Sequence, residues 1–124
     1  VKFLYNVSQK KLKSLYRRAL VYYMPSKSEG FGSVFVEAMA SGTPIVAMPK
    51  AAVKYIVKDG VTGFLRESQE GQKVALLTLL RNKELYKQLQ KNCLREAKKY
   101  TEEYVAEKWR KVLTNLNTFK KKYA

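Results

Sequence analysis

Short apolar runs alternate with segments of helical spacing along the first half of the chain. The apolar runs are rich in β-branched and aromatic residues and are followed by turn-forming residues, a pattern that predicts buried strands. The predicted strands cover residues 1–5, 20–24, 44–48 and 63–65. Between them, apolar positions at three- and four-residue spacing predict helices. These helices extend from a cap at Ser8 to Ala19, over residues 34–40 with a stop at Gly42, and around residues 52–58.

The second half of the chain is helical from Glu70 onward, with three helices that each have one apolar stripe. Asn82 is predicted to open the second helix, and Thr101 to cap the third. We expect each stripe to be buried, because an amphipathic helix packs its apolar face against the core. The stripes are Val74, Leu77 and Leu80; then Leu85, Leu89, Cys93 and Ala97; then Val105, Trp109, Val112, Leu113, Leu116 and Phe119.

The alternation of strands and helices predicts an α/β fold with a parallel sheet, flanking helices and right-handed crossovers. A chain of 124 residues suffices for one domain at most. We expect a single partial domain over residues 1–124. Residues 1–68 would form its β/α part, and residues 69–124 would form a helical C-terminal part.

Basic residues outnumber acidic residues by 25 to 10, which gives a formal net charge of +15. Such a charge favours nucleotide diphosphates, acidic lipid surfaces or nucleic acid without sequence specificity, and a solvated basic face is the alternative. No recognition-helix or aromatic-platform pattern is present, so no specific nucleic-acid partner is expected. The single cysteine, Cys93, suits a reducing compartment, which predicts a cytoplasmic protein. The basic tail at residues 120–122 is expected to be frayed or to contact a membrane peripherally.

The loop between the second predicted strand and the next helix contains two glycines, Gly30 and Gly32. Glycine allows the backbone to approach a ligand closely. The first turn of a helix presents unpaired N–H groups and roughly half a positive charge, which suits a phosphate or a developing anion. The predicted donors are the backbone amides of Phe31, Gly32, Ser33 and Val34.

Two glutamates accompany this loop, with Glu29 on the loop itself and Glu37 about one turn into the helix. The side chain of Glu37 is expected to lean back toward the helix N-terminus. A carboxylate can accept hydrogen bonds from both hydroxyls of a vicinal diol, which ribose and hexoses present. Amides for phosphate and carboxylates for sugar hydroxyls together indicate a nucleotide-sugar site. Alternatively, Glu29 is a solvated loop charge and Glu37 pairs with a lysine.

A longer series of motifs extends this pattern over roughly residues 1–80. The motifs are Pro25-Ser26, Glu29-Gly30-Phe31-Gly32, the segment 37–47 and the segment 59–65, preceded by Val7-Ser8, Leu12, Leu15-Tyr16 and Ala19. In order and spacing, including a Glu-x7-Glu pattern, the chain resembles the donor-binding half of the family 4 retaining glycosyltransferases of the GT-B fold. The resemblance implies a three-layer, Rossmann-like half-domain.

The resemblance also implies that a sugar is transferred from a nucleotide-diphosphate-sugar to an acceptor hydroxyl with retention of the anomeric configuration. Glu29 would be catalytic, because it would contact the transferred sugar and support charge at the reacting centre. Glu37 would hold the ribose hydroxyls, and Val7 would lie beside the base. Gly30, Phe31 and Gly32 would present backbone to the sugar and the diphosphate. No cofactor or metal is expected. An N-terminal domain not in this chain would hold the acceptor, which would be a glycan, a lipid or a small molecule.

The chain departs from the family pattern at several positions. Tyr5 and the pair Ala51-Ala52 stand where glycine is common, and Tyr55 lies near the position of a family glutamate. The family's basic pair for the diphosphate has no counterpart, so we expect a fragment that is incomplete as a catalyst on its own. A non-catalytic nucleotide- or anion-binding α/β module is therefore the alternative function. A basic nucleic-acid or membrane adaptor is a third hypothesis, which rests on charge alone.

Overall fold

The computed structural model describes residues 1–25, 27 and 32–123, in which helices and strands alternate as far as residue 65. Three long helices follow, with one 3₁₀ turn between the last two. In chain order the elements are α1 (Gln9–Arg18), β1 (Tyr22–Met24), α2 (Ser33–Ala40), β2 (Ile45–Ala47), α3 (Val53–Ile56), β3 (Gly63–Leu65), α4 (Gln69–Arg81), α5 (Lys83–Ala97), the 3₁₀ turn Lys98–Tyr100 and α6 (Glu102–Tyr123).

The three strands form one parallel sheet in the order β1-β2-β3. Tyr23 of β1 lies opposite Val46 of β2, which lies opposite Phe64 of β3. All three residues of the central strand are fully buried, as expected for a parallel sheet covered by helices on both faces. The predicted α/β fold with a parallel sheet and flanking helices is therefore confirmed.

The side chains of β2 alternate between two apolar clusters, one on each face of the sheet. Ile45 and Ala47 belong to a cluster with Phe35 and Met39 of α2. Val46 points to the opposite face, where α4 and α5 cover the sheet. The partners of Val46 there are Ala75, Leu79 and Leu89. The strand is thus the centre of both halves of the core.

Helix α5 contributes to both clusters and confirms the burial predicted for most of its apolar stripe. Leu89 and Cys93 are fully buried, and Ala97 is nearly so. The Cys93 thiol donates to the Thr62 carbonyl oxygen at 3.2 Å, and burial raises the pKa of this thiol to about 12. Cys93 is therefore a packing residue that also satisfies a carbonyl group next to the sheet.

Side-chain caps begin several of the helices at the predicted residues. The Ser8 hydroxyl accepts from the Lys11 amide at 3.2 Å, and the Asn82 side chain accepts from the Leu85 amide at 3.0 Å. The Thr101 hydroxyl accepts from the Tyr104 amide in the first turn of α6 at 3.3 Å. Each cap supplies an acceptor for an amide that has no partner within its helix.

The first predicted strand is wrong, because residues 1–5 form no strand and are exposed. In the described part of the chain, the sheet begins at Tyr22 and the segment before it has no strand partner. An apolar, β-prone segment forms a strand only where a neighbouring strand supplies its backbone hydrogen bonds. The composition of residues 1–5 shows the β propensity of the segment but does not show whether it has a neighbouring strand.

The predicted stripe of α4 is also wrong, since Val74 and Leu80 are more than half exposed at 55% and 58%. The face turned to the sheet has Gln72, Ala75 and Leu79 instead. Gln72 is buried because its polar atoms are satisfied. Its oxygen accepts from the Tyr23 hydroxyl at 2.6 Å, and its nitrogen donates to a backbone carbonyl at 3.0 Å.

The stripe of α6 is exposed as well, which corrects the prediction that it is buried. Trp109 is 60% exposed and Leu113 is 54% exposed. The exposed positions also include Val105, Val112 and Leu116. The helix has the predicted period and cap, but these residues belong to neither cluster around the sheet. No helix among the described residues is long and apolar enough to span a membrane.

Gly63 offers a test of the close approach between β2 and β3. A Cβ atom at this position would lie 1.9 Å from the Ile45 carbonyl oxygen, so we expect Gly63→Ala to force the strands apart. The expected loss of stability is roughly 2–3 kcal/mol, measured by chemical denaturation.

Gly60→Ala is the matched control, because Gly60 has a φ of 73° but open space around it. It should cost only about 0.5–1 kcal/mol, because the strain of alanine in the left-handed region is partly offset by the lower entropy of the unfolded chain. A smaller loss at Gly63 than at Gly60 would contradict this account.

Candidate functional site

The carboxyl ends of the three strands lie along one edge of the sheet, because the strands are parallel. They end at Met24, Ala47 and Leu65, and α2, α3 and α4 follow. Ligands of parallel α/β sheets bind beyond this edge, where the following helices present their N-termini. Of the three helices, α2 begins at the predicted phosphate-binding loop.

Gly32 is the residue before the first turn of α2 and has a left-handed backbone, with φ 74° and ψ 45°. It makes no side-chain cap, and its carbonyl oxygen accepts from the Phe35 amide at 3.0 Å. A Cβ atom here would lie 2.8 Å from the Phe35 ring. Glycine is therefore required by the local packing, and the amides of Ser33 and Val34 begin the helix without an intrahelical acceptor.

The other residues of the predicted loop site, Glu29, Gly30 and Phe31, lie outside the described residues, and their roles stay predictions. Val7 is half-buried and precedes the Ser8 cap of α1. It follows Asn6, which has a φ of 49°, a conformation that asparagine tolerates better than most residues. Its predicted place beside a base stays a prediction.

Glu37 is exposed and lines an open groove between α1 and α2 of about 290 Å³. The remaining lining residues are Gln9, Leu12, Lys13, Tyr16, Arg17, Ala40 and Ser41. The groove has an apolar floor, a carboxylate from α2 and two cationic side chains from α1. Such a mixture of surfaces fits a ligand that has both a ring and hydroxyl groups.

Tyr16 connects this groove to the core, although the sequence analysis named it only among the motif residues and gave it no role in the site. Its side chain is buried, and its ring centroid lies 5.6 Å from that of Tyr22. Burial raises the pKa of the Tyr16 hydroxyl most, followed by the nearby Tyr22 hydroxyl and the nearby Glu37 carboxylate. The Tyr16 hydroxyl therefore stays protonated. A tyrosine on a buried helix face was the available signal, since its hydroxyl requires a partner.

A residue with strained backbone lies on the same edge of the sheet, in the segment after β2. Ala51 has a φ of 46°, in the left-handed region that favours glycine, at a position where the resembled family commonly has glycine. Lys50 beside it forms an ion pair of 3.1 Å with Glu67, which follows β3. Tyr55, on α3, is exposed beneath the Lys54 ammonium. Strained backbone of this kind is concentrated at functional edges.

No group of three or more histidine, cysteine, aspartate or glutamate side chains that could hold a metal ion occurs in the part of the chain that the structure describes.

Known proteins resemble this chain at the level of family, sequence and fold. A family model described as Glycosyl transferases group 1 matches residues 1–96. The chain is 44% identical over 75 residues to the D-inositol 3-phosphate glycosyltransferase of Streptomyces griseus, a match that covers 60% of this chain and 16% of that protein. It is 37% identical over 106 residues to an uncharacterized glycosyltransferase of Methanocaldococcus jannaschii, covering 84% of this chain and 30% of that protein.

The fold is similar to that of the pneumococcal O-GlcNAc transferase GtfA, whose crystal structure is a complex with UDP and GlcNAc. The TM-score is 0.69 with 24% sequence identity, and the match covers 84% of this chain and 22% of that chain. This likeness concerns the fold alone. In all three comparisons the present chain covers less than a third of the length of the other protein.

Ala51 provides a test of the strain at this edge. An L-residue in the left-handed region costs about 1–2 kcal/mol more than glycine, which exceeds the entropy that glycine adds to the unfolded chain. We expect Ala51→Gly to stabilise the protein by about 0.5–1 kcal/mol in chemical denaturation. The control Ala106→Gly, within exposed helix α6, should destabilise it by about 1 kcal/mol. Loss of stability from Ala51→Gly would show that this backbone is not strained.

Proposed function

Because the chain belongs to the family described as Glycosyl transferases group 1, we propose that it forms the donor-binding part of a retaining glycosyltransferase. The enzyme would transfer a sugar from a nucleotide-diphosphate-sugar to an acceptor hydroxyl and keep the anomeric configuration. The observation that carries this proposal is the placement of Glu37 on an open groove, about one turn inside a helix that begins at left-handed Gly32.

The diphosphate would bind at the start of α2. The amides of Ser33 and Val34 belong to the first turn, where helix amides lack intrahelical acceptors and the helix dipole favours an anion. Gly32 keeps this turn free of a side chain. The net charge of +15 would raise the local concentration of an anionic donor before it binds.

The nucleoside would lie in the groove between α1 and α2, with its ribose hydroxyls on the Glu37 carboxylate. Lys13 and Arg17 line the same groove and place positive charge beside the ligand. A charged acceptor for hydroxyl donors gives stronger and more directional hydrogen bonds than a neutral one. Val7 would contact the base.

The transferred sugar would lie on the loop before α2. Glu29 would contact its hydroxyls and stabilise the positive charge that develops at the anomeric carbon, while Gly30 and Phe31 would present backbone. A carboxylate that acts on charge in the transition state raises kcat rather than affinity. No cofactor is required for this chemistry in the proposal.

The acceptor would be a glycan, a lipid or a small molecule, held by parts of the protein beyond this chain. The Streptomyces griseus relative is called a D-inositol 3-phosphate glycosyltransferase, so a phosphorylated polyol is one acceptor class to assay first. We also propose a cytoplasmic location, with peripheral membrane contact through the basic tail of Lys120, Lys121 and Lys122.

Glu37→Gln tests the proposed ribose contact. The substitution keeps the size of the side chain but removes the charge, and hydrogen bonds to charged groups contribute about 1.5–3 kcal/mol. We expect the Kd of a nucleoside diphosphate for the whole protein to rise roughly 10- to 150-fold in titration calorimetry.

The matched control is Glu103→Gln, which makes the same change of charge on exposed helix α6. It should leave the Kd within about twofold of the unmodified protein. An unchanged Kd for Glu37→Gln in a folded protein would remove Glu37 from the site and favour a binding module of another kind.

A further inference from the structure

Lys50 lies in the segment after β2, at the edge of the sheet where the strands end, and hydrogen bonds hold its backbone in place. Its amide donates to the Met48 carbonyl oxygen at 2.8 Å, and its own carbonyl oxygen accepts from the Val53 amide at 3.1 Å. The ammonium group forms an ion pair of 3.1 Å with the Glu67 carboxylate, in the segment after β3. Contacts of the backbone and of the side-chain end therefore define the position of this cation.

The start of α2 lies on the neighbouring segment of the same edge. Met24 of β1 is opposite Ala47 of β2, so the segments that follow these two strands leave the sheet side by side. The segment that contains Lys50 leads into α3, and Ile56 of α3 reaches the start of α2. The Ile56 Cδ1 atom would lie 3.6 Å from a Cβ atom at Gly32. A cation and the first amides of α2 are thus brought to one side of the sheet.

The ion pair between Lys50 and Glu67 is open to solvent. The Lys50 side chain is 43% exposed, and the Glu67 side chain is more exposed still. Exposed ion pairs contribute little to stability, because water screens the attraction and both side chains lose rotamer freedom. A diphosphate carries more negative charge than one carboxylate and offers several acceptor oxygens to an ammonium group. Such an anion can therefore replace Glu67 as the partner of Lys50.

We infer that Lys50 binds the diphosphate of the donor, together with the amides at the start of α2, and that Glu67 competes with the diphosphate for this cation. The inference rests on the proposed function, because that proposal places the diphosphate at the start of α2. The amides supply hydrogen bonds without a formal charge, and Lys50 adds the charge. Glu67 partly neutralises Lys50 before the ligand arrives, which lowers the affinity.

Lys50→Met removes the charge and keeps most of the length of the side chain. The probes are UDP, GDP and ADP, with the tightest of the three titrated into the whole protein in a calorimeter. We expect the Kd to rise roughly 5- to 10-fold, because a charge-assisted contact is lost at a partly exposed position. Lys50→Arg keeps the charge, so it should leave the Kd within about threefold of that of the unmodified protein.

Lys58→Met is the matched control for the loss of one positive charge. The Lys58 side chain is 46% exposed and forms an ion pair of 2.9 Å with Glu96. It lies at the opposite edge of the sheet, since its amide donates at 2.9 Å to the hydroxyl of Thr62, the residue before β3. The Kd should stay within about twofold of that of the unmodified protein, because a distant exposed charge is screened by salt.

Glu67→Gln separates a contact with the ligand from a structural role of the ion pair. It breaks the same ion pair as Lys50→Met but leaves the cation in place and removes its competitor. We expect the Kd to fall roughly 2- to 4-fold, in keeping with the small strength of an exposed ion pair. If the pair mattered only by ordering the two segments, Glu67→Gln would raise the Kd as much as Lys50→Met, and the inference would be overturned.

The outcomes also distinguish this inference from the proposal beneath it. If none of the three nucleoside diphosphates binds the whole protein, the proposed function fails and the role of Lys50 fails with it. If Glu37→Gln weakens binding but Lys50→Met stays within twofold, only the diphosphate contact of Lys50 is overturned. If Lys50→Met weakens binding and Glu37→Gln does not, the ribose assignment fails while the contact of Lys50 is supported.

Discussion

The packing of Phe35 beneath Gly32 is the interaction on which the candidate site depends. Phe35 is fully buried, and its ring fills the space that a side chain at position 32 would need. The same ring meets Tyr22 of β1, and Tyr22 meets Tyr16 of α1. The left-handed start of α2 is therefore connected through one packed cluster to Tyr16 of α1, which lines the same groove as Glu37.

The parallel sheet supplies the second constraint, because it brings the loops that follow three strands to one edge. Its central strand is buried on both faces, and Gly63 allows β3 to approach β2 closely. Strain at Ala51 lies on this same edge. Gly32 and Ala51 thus give left-handed backbone at the edge beyond which ligands of parallel α/β sheets bind.

Most of the elements around the site could be predicted from the sequence, because their signals are local. Ser8 caps α1, Asn82 caps α5 and Gly42 follows α2 with a φ of 72°, as the pattern indicated. These signals act within one turn of the backbone and need no knowledge of distant partners. The strands after residue 20 were predictable for a similar reason, since their apolar runs are bounded by turns.

The failures concern partners that a linear pattern does not contain. Residues 1–5 are β-prone but have no strand to pair with in the described chain, and the stripe of α6 has the right period but no place in the two core clusters. The orientation of α4 was mispredicted, because its buried face includes Gln72, whose burial depends on two hydrogen bonds to partners outside the helix. Tyr16 was missed as part of the groove for a similar reason, since the groove exists only after α1 and α2 have packed.

The most direct measurement of the central claim is a crystal structure of the whole protein with a bound nucleoside diphosphate. The account predicts that both ribose hydroxyls lie within about 2.7–3.2 Å of the Glu37 carboxylate oxygens. It also predicts that the diphosphate lies against the amides at the start of α2. A nucleotide bound at another edge of the sheet, or a ribose that does not contact Glu37, would contradict the account.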